Sequence, residues 1–106
     1  MVIKWHPRAL KMVRAIHRFY SSKDKKAADK IVKGIFDAVD KLATFPKMAP
    51  VEEMLVGFAD EYRSLVVRKL FKVVYFINEL TDEVVIVMVR DCRRNPEGLK
   101  DEISDN

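Results

Sequence analysis

Residues 62–95 read YRSLVVRKLFKVVYFINELTDEVVIVMVRDCRRN, and three strands can be drawn through them. The runs Tyr62 to Lys69, Phe71 to Ile77 and Val84 to Val89 are dense in Val, Ile, Tyr and Phe, types that suit a pleated, half-buried surface. In the second run Phe71, Val73, Tyr75 and Ile77 share one face, while Lys72 shares the other with Val74 and Phe76. The third run is apolar on both faces, which predicts a central strand with neighbours on each side and helices over one face. It then gives way to Arg90, Asp91, Cys92, Arg93, Arg94, Asn95 and Pro96, so the sheet ends in charge.

Upstream, Met1 to Trp5 reads as a short first strand stopped by Pro7, which also suits a first helical turn. Ala9, Met12, Val13, Ile16, Phe19 and Tyr20 recur at helical spacing, with Lys11, Arg14 and Arg18 on the other face. Ser22 or Asp24 can cap a second helix, in which Ala28, Ile31, Val32, Ile35, Val39, Leu42 and Ala43 keep the period through Gly34. That helix is expected to end at Phe45, because Pro46 pushes the residue before it towards extended backbone. Two amphipathic helices joined by a short polar turn form a hairpin whose apolar face needs a partner, and the apolar sheet face supplies one.

Lys47 to Glu61 is mixed in character and is assigned as loop, with room for a short strand or a helical turn. The connection at Lys69 and Leu70 lacks the Gly or Asn of tight hairpin turns. Asn78 to Glu83 is a second loop, and Asn95 with Pro96 predicts a short last helix through Ile103. The order is β-α-α-β-β-β(-α): an α+β domain with a helical hairpin packed on a twisted antiparallel sheet.

With 106 residues, 49% hydrophobic and 34% charged, the chain is one domain, 1–106, large enough to bury a core unaided. No apolar run is long enough to cross a bilayer, and the one cysteine allows no internal disulfide, so a cytoplasmic location is expected. His6, His17 and Cys92 offer no metal-ligand spacing, and Gly34, Gly57 and Gly98 are too scattered for a phosphate loop; neither metal nor cofactor is expected. Cys92 has no histidine near it in sequence and reads as a small residue at a strand end. Tyr75 and Phe76 are of the type that stacks on bases, whereas Trp5, Phe36 and Phe45 read as core.

The net charge of +4 favours an anionic partner without requiring one. Arg63, Arg68, Lys69, Lys72, Arg90, Arg93 and Arg94 would share one groove if the three strands formed a meander, and such a cluster would suit phosphates. Cations at strand edges also keep sheets from associating, so composition leaves both readings open.

The element order and several residue groups together resemble the RelE/ParE family of type II toxin–antitoxin toxins, across nearly the whole chain. The resemblance is carried by Ala9 in the first helix and by Ala28 in the long second helix ending at Leu42, Phe45 and Pro46. Three later groups add to it: Tyr62, Arg63 and Leu65; Lys72, Val73, Val74 and Tyr75; and Asp91, Arg93, Asn95 and Pro96. It implies a helical hairpin on one face of the sheet. It also implies a cognate antitoxin that wraps and neutralises the chain, supplying apolar and acidic side chains to the hairpin and the cationic groove.

RelE-like members of the family cleave messenger RNA on the ribosome, whereas ParE-like members inhibit DNA gyrase without cleaving anything themselves. Lys72 stands where RelE-like toxins carry a basic active-site residue, Arg93 resembles their arginine beyond the last strand, and Arg63 their basic group on the preceding strand. These three would be catalytic in an endoribonuclease, with Arg68, Lys69, Arg90 and Arg94 contacting nucleic acid or the target. Many RelE-like enzymes also place a Tyr or His near the carboxyl end, and nothing after Tyr75 is either. The resemblance therefore points first to a ParE-like inhibitor of gyrase or another replication target. A ribosome-dependent endoribonuclease and a degenerate toxin that only binds its antitoxin are the alternatives.

Overall fold

The computed structural model describes residues 1–93. In order they form β1 (Val2–Trp5), α1 (Pro7–Ser21), α2 (Lys25–Asp40), β2 (Arg63–Val67), β3 (Phe71–Asn78) and β4 (Glu83–Asp91). Arg94 and the helix expected from Asn95 to Ile103 lie outside the described residues. The sheet order is β1-β4-β3-β2. β2, β3 and β4 form the antiparallel meander expected from the sequence, while β1 lies parallel to β4, which makes the sheet mixed. β4 is therefore central, as its two apolar faces require.

Both helices start on side-chain caps. His6 accepts the Arg8 amide through Nδ1 before Pro7 takes the first helical position, and of the two candidate caps for α2 it is Asp24 that accepts the Ala27 amide. At its far end α2 tightens into a 3-10 turn over Lys41–Ala43, and the Phe45 amide still bonds to the Lys41 carbonyl. The core lies between the hairpin and one sheet face. There Ala9, Val13, Ile16, Ile35, Val39 and Leu42 meet Phe71, Val73, Tyr75, Val84 and Ile86. Trp5 and Phe36 lie in contact with ring centroids 4.9 Å apart. Phe45 departs from its expected core role and is 64% exposed: it falls past the last helical turn, at the start of the irregular segment that leads to β2.

Two irregularities set the site. Val74 pairs with Met88 but Tyr75 pairs with Ile86, so Val87 is an extra residue in β4 and the strand carries a bulge. The β2–β3 turn runs from Val67 to Leu70, and Arg68 and Lys69 both have positive φ, at 53° and 61°. That is the sign pattern of a type I′ hairpin turn, reached here without the Gly or Asn that usually accommodates it.

Candidate functional site

Strand alternation and register divide the cations between the two faces of the sheet. Arg63 pairs with Tyr75 and so belongs to the helix-covered face. Its Nη1 donates to the Ala49 carbonyl at 2.8 Å and its Nη2 meets Glu61 at 3.1 Å, which fastens the 46–61 segment against β2. Tyr75 beside it is fully buried and donates its hydroxyl to the Pro46 carbonyl at 2.6 Å. Burial pushes that phenol up, with Arg63 pulling the other way. Tyr75 is thus a core residue that cannot stack on a base.

On the opposite face Val66, Lys72 and Arg90 stand side by side in register across three strands. Lys72 Nζ donates to Glu52 Oε1 at 2.8 Å, and Glu52 is only 7% exposed although it comes from the loop. Arg90 is likewise buried. Two cations held in a row repel each other, and the inward-turned Glu52 carboxylate offsets that repulsion.

Arg93 forms a third arrangement at the end of β4. Asp91 has its side chain almost fully buried and accepts from the Arg93 amide, Nε and Nη2. The Tyr20 hydroxyl donates to the same carboxylate at 2.5 Å, and the Arg93 guanidinium lies 5.5 Å from the Tyr20 ring centre. Cys92 follows Asp91, its amide bound to the Leu70 carbonyl, and burial pushes its thiol up against the pull of Lys72 and Arg90. A thiol so placed is a poor nucleophile.

The single groove expected from the sequence is therefore three separate sites: Arg63 on one face, Lys72 with Arg90 on the other, and Arg93 at the end of α1 and β4. Arg68 and Lys69 project from the strained turn, and the stem of Arg68 lies over Gly34 of α2. Neither has an ion-pair partner among the described residues.

A further feature escaped the sequence reading. Between α1 and α2 runs an open groove of about 580 Å³, lined by the apolar Leu10, Val13, Val32 and Phe36 and by the cations Arg14 and Arg18. Its spacing was visible in the sequence as cations one turn apart beside the apolar stripe, but a cationic helix face ordinarily reads as solvated surface. Arg14 and Arg18 have no acidic partner among the described residues. His17, within the same groove, bridges to Asp29 of α2 at 2.7 Å, and that bond draws the Asp29 carboxyl below its usual value.

No group of His, Cys, Asp and Glu among the described residues is arranged to hold a metal ion, and no described helix is long and apolar enough to cross a membrane.

A helical hairpin on one face of a four-stranded mixed sheet, with a basic groove on the hairpin and cations at the sheet's end, defines a small α+β toxin of the RelE/ParE kind. The chain belongs to the ParE toxin family of the type II toxin–antitoxin system parDE, whose model matches residues 3–96. Among solved structures it is similar to the chromosomal ParDE toxin–antitoxin system from P. aeruginosa. The TM-score is 0.71 at 21% identity, over 86% of this chain and 95% of that one. It is also similar to a YoeB/ParE toxin from Agrobacterium tumefaciens, with a TM-score of 0.58 at 16% identity over 86% and 98% of the two chains. At these identities the likeness is one of fold. No curated protein gives a significant match.

Proposed function

We propose that this toxin acts in the cytoplasm by binding gyrase or another protein of the replication machinery, and that it cleaves no RNA. The observation that carries this reading is the Lys72–Glu52 ion pair at 2.8 Å. Cleavage by 2′-hydroxyl attack needs a base for the hydroxyl, an acid for the leaving oxygen and cations around the phosphorane. Lys72 is neutralised by a buried carboxylate, and Arg63 and Arg93 are bound elsewhere to Ala49, Glu61 and Asp91. The tyrosines and histidines of the described residues are also occupied away from Lys72. Tyr20 binds Asp91, Tyr75 binds Pro46, Tyr62 neighbours Asp60, His6 caps α1 and His17 pairs with Asp29. This arrangement supports a structural role for Arg63, Lys72 and Arg93, with Arg68 and Lys69 as the cations open to a target.

The cognate antitoxin in this reading lays an amphipathic, acidic segment along the α1–α2 groove, its apolar side chains on Val13, Val32 and Phe36 and its carboxylates at Arg14 and Arg18. Parallel assays test the target. The purified chain is expected to inhibit gyrase supercoiling while messenger 5′ ends in a ribosome-based translation reaction stay unchanged. Codon-internal cleavage that disappears in Lys72→Met would establish the endoribonuclease reading instead.

A further inference from the structure

The segment from Val51 to Tyr62, VEEMLVGFADEY, holds four acids and no Lys or Arg in a chain whose net charge is +4. It is closed at its base, where the Glu52 amide bonds to the Tyr62 carbonyl at 2.8 Å and Val51 pairs with Arg63. A surface loop with joined ends, packed by its own side chains, is a compact unit of the Ω-loop type. Leu55 is its buried anchor on the far face of the sheet, against Val74 and Met88. Its outer part encloses a half-open pocket of about 280 Å³ walled by Val51, Leu55, Val56, Phe58 and Tyr62. Asp60 and Glu61, both exposed, also line it, and Val56 is 71% exposed.

Two of the four acids are used within the chain, Glu52 by Lys72 and Glu61 by Arg63. Asp60 and Glu53 have no cationic partner among the described residues. The volume suits a single large apolar side chain, the kind of anchor that dominates protein–protein contacts. An acidic antitoxin segment would be repelled here, while it would be attracted to the basic groove between the helices.

We propose that the 51–62 loop is a docking site for a basic protein segment of a partner other than the antitoxin, which seats one large apolar side chain in the pocket and a flanking Lys or Arg against Asp60. The assignment to a partner other than the antitoxin rests on the groove reading above. The toxin then carries two surfaces of opposite charge, one for neutralisation and one for a second protein.

The test is a titration of the ¹⁵N-labelled chain with a blocked lysine-phenylalanine-lysine tripeptide, beside a glutamate-phenylalanine-glutamate control, read by backbone chemical shifts. The basic peptide is expected to shift Val56, Gly57, Phe58 and Asp60 in a saturable manner, and Asp60→Asn to weaken it about fivefold. The acidic peptide should leave the loop untouched and shift residues around Arg14 and Arg18. Equal effects of both peptides on the loop, or none from the basic one, would overturn the proposal. So would loop shifts that grow with protein concentration without any peptide, since a second copy would then be the occupant. A silent loop with a responsive Arg14 and Arg18 would remove this inference and leave the antitoxin groove standing; the reverse pattern would remove the groove reading.

Discussion

Replacing Lys72 with Met leaves the Glu52 carboxylate in place, 7% exposed and without its cation. At 2.8 Å the gross attraction is about 6 kcal/mol for an effective dielectric of 20. Desolvation of both ions offsets most of that. The Lys72 side chain retains 32% of its exposure, so the loss falls below that of a fully buried pair, at about 2 kcal/mol. For a domain of this size that lowers the melting temperature by about 10 °C. Glu52→Gln alone leaves Lys72 able to reach water and is expected to cost less, about 1 kcal/mol. The double variant Lys72→Met with Glu52→Gln removes both charges and should cost about 2 kcal/mol where additivity would give about 3, a coupling of about 1 kcal/mol in a double-mutant cycle by urea denaturation. A Lys72→Met protein as stable as the parent, or strictly additive variants, would show that the pair holds nothing together.

Four other outcomes follow from particular contacts. Arg68→Gly should stabilise the chain by about 1 kcal/mol in the same denaturation assay, because φ of 53° strains any residue with a Cβ; a loss would mean that the Arg68 stem over Gly34 outweighs the strain. Gly34→Ala should raise stability by about 0.5–1 kcal/mol, since its new methyl meets the Arg68 stem at an ordinary 3.7 Å and the helix gains propensity. The folded Asp29 carboxyl lies below its unfolded value, so its contribution is present above that value and lost as pH falls through the folded one. The difference in melting temperature between the parent and Asp29→Asn should accordingly disappear in strong acid and be present at neutral pH. With its thiol pushed up by burial, Cys92 should react with iodoacetamide at pH 8 several-fold more slowly than a free cysteine, and a rate equal to free cysteine would contradict its placement.

The helices and the β2–β4 meander were legible because their apolar periods run long enough to specify one face each. β1 was legible as a strand, but its four residues carry no information about direction, and its parallel pairing with β4 depends on where the hairpin leads the chain. Alternation placed Lys72 on the face away from the core. It could not place Arg63 on the other, because that needs the register set by the Arg68–Lys69 turn. The absence of Gly and Asn from that turn hid its positive φ values. Glu52 was hidden for a different reason: a carboxylate in an irregular loop has no period to mark its burial, and only the tertiary contact with Lys72 turns it inward.

The most direct test of a toxin that binds without cleaving is growth after induction of the Lys72→Met, Glu52→Gln double variant in the absence of antitoxin, with messenger 5′ ends mapped in the same cells. Arrest equal to that of the parent chain is expected, with no codon-internal ends from either protein. Arrest and cleavage by the parent, both lost in a double variant that still melts cooperatively, would make Lys72 catalytic and contradict binding without cleavage.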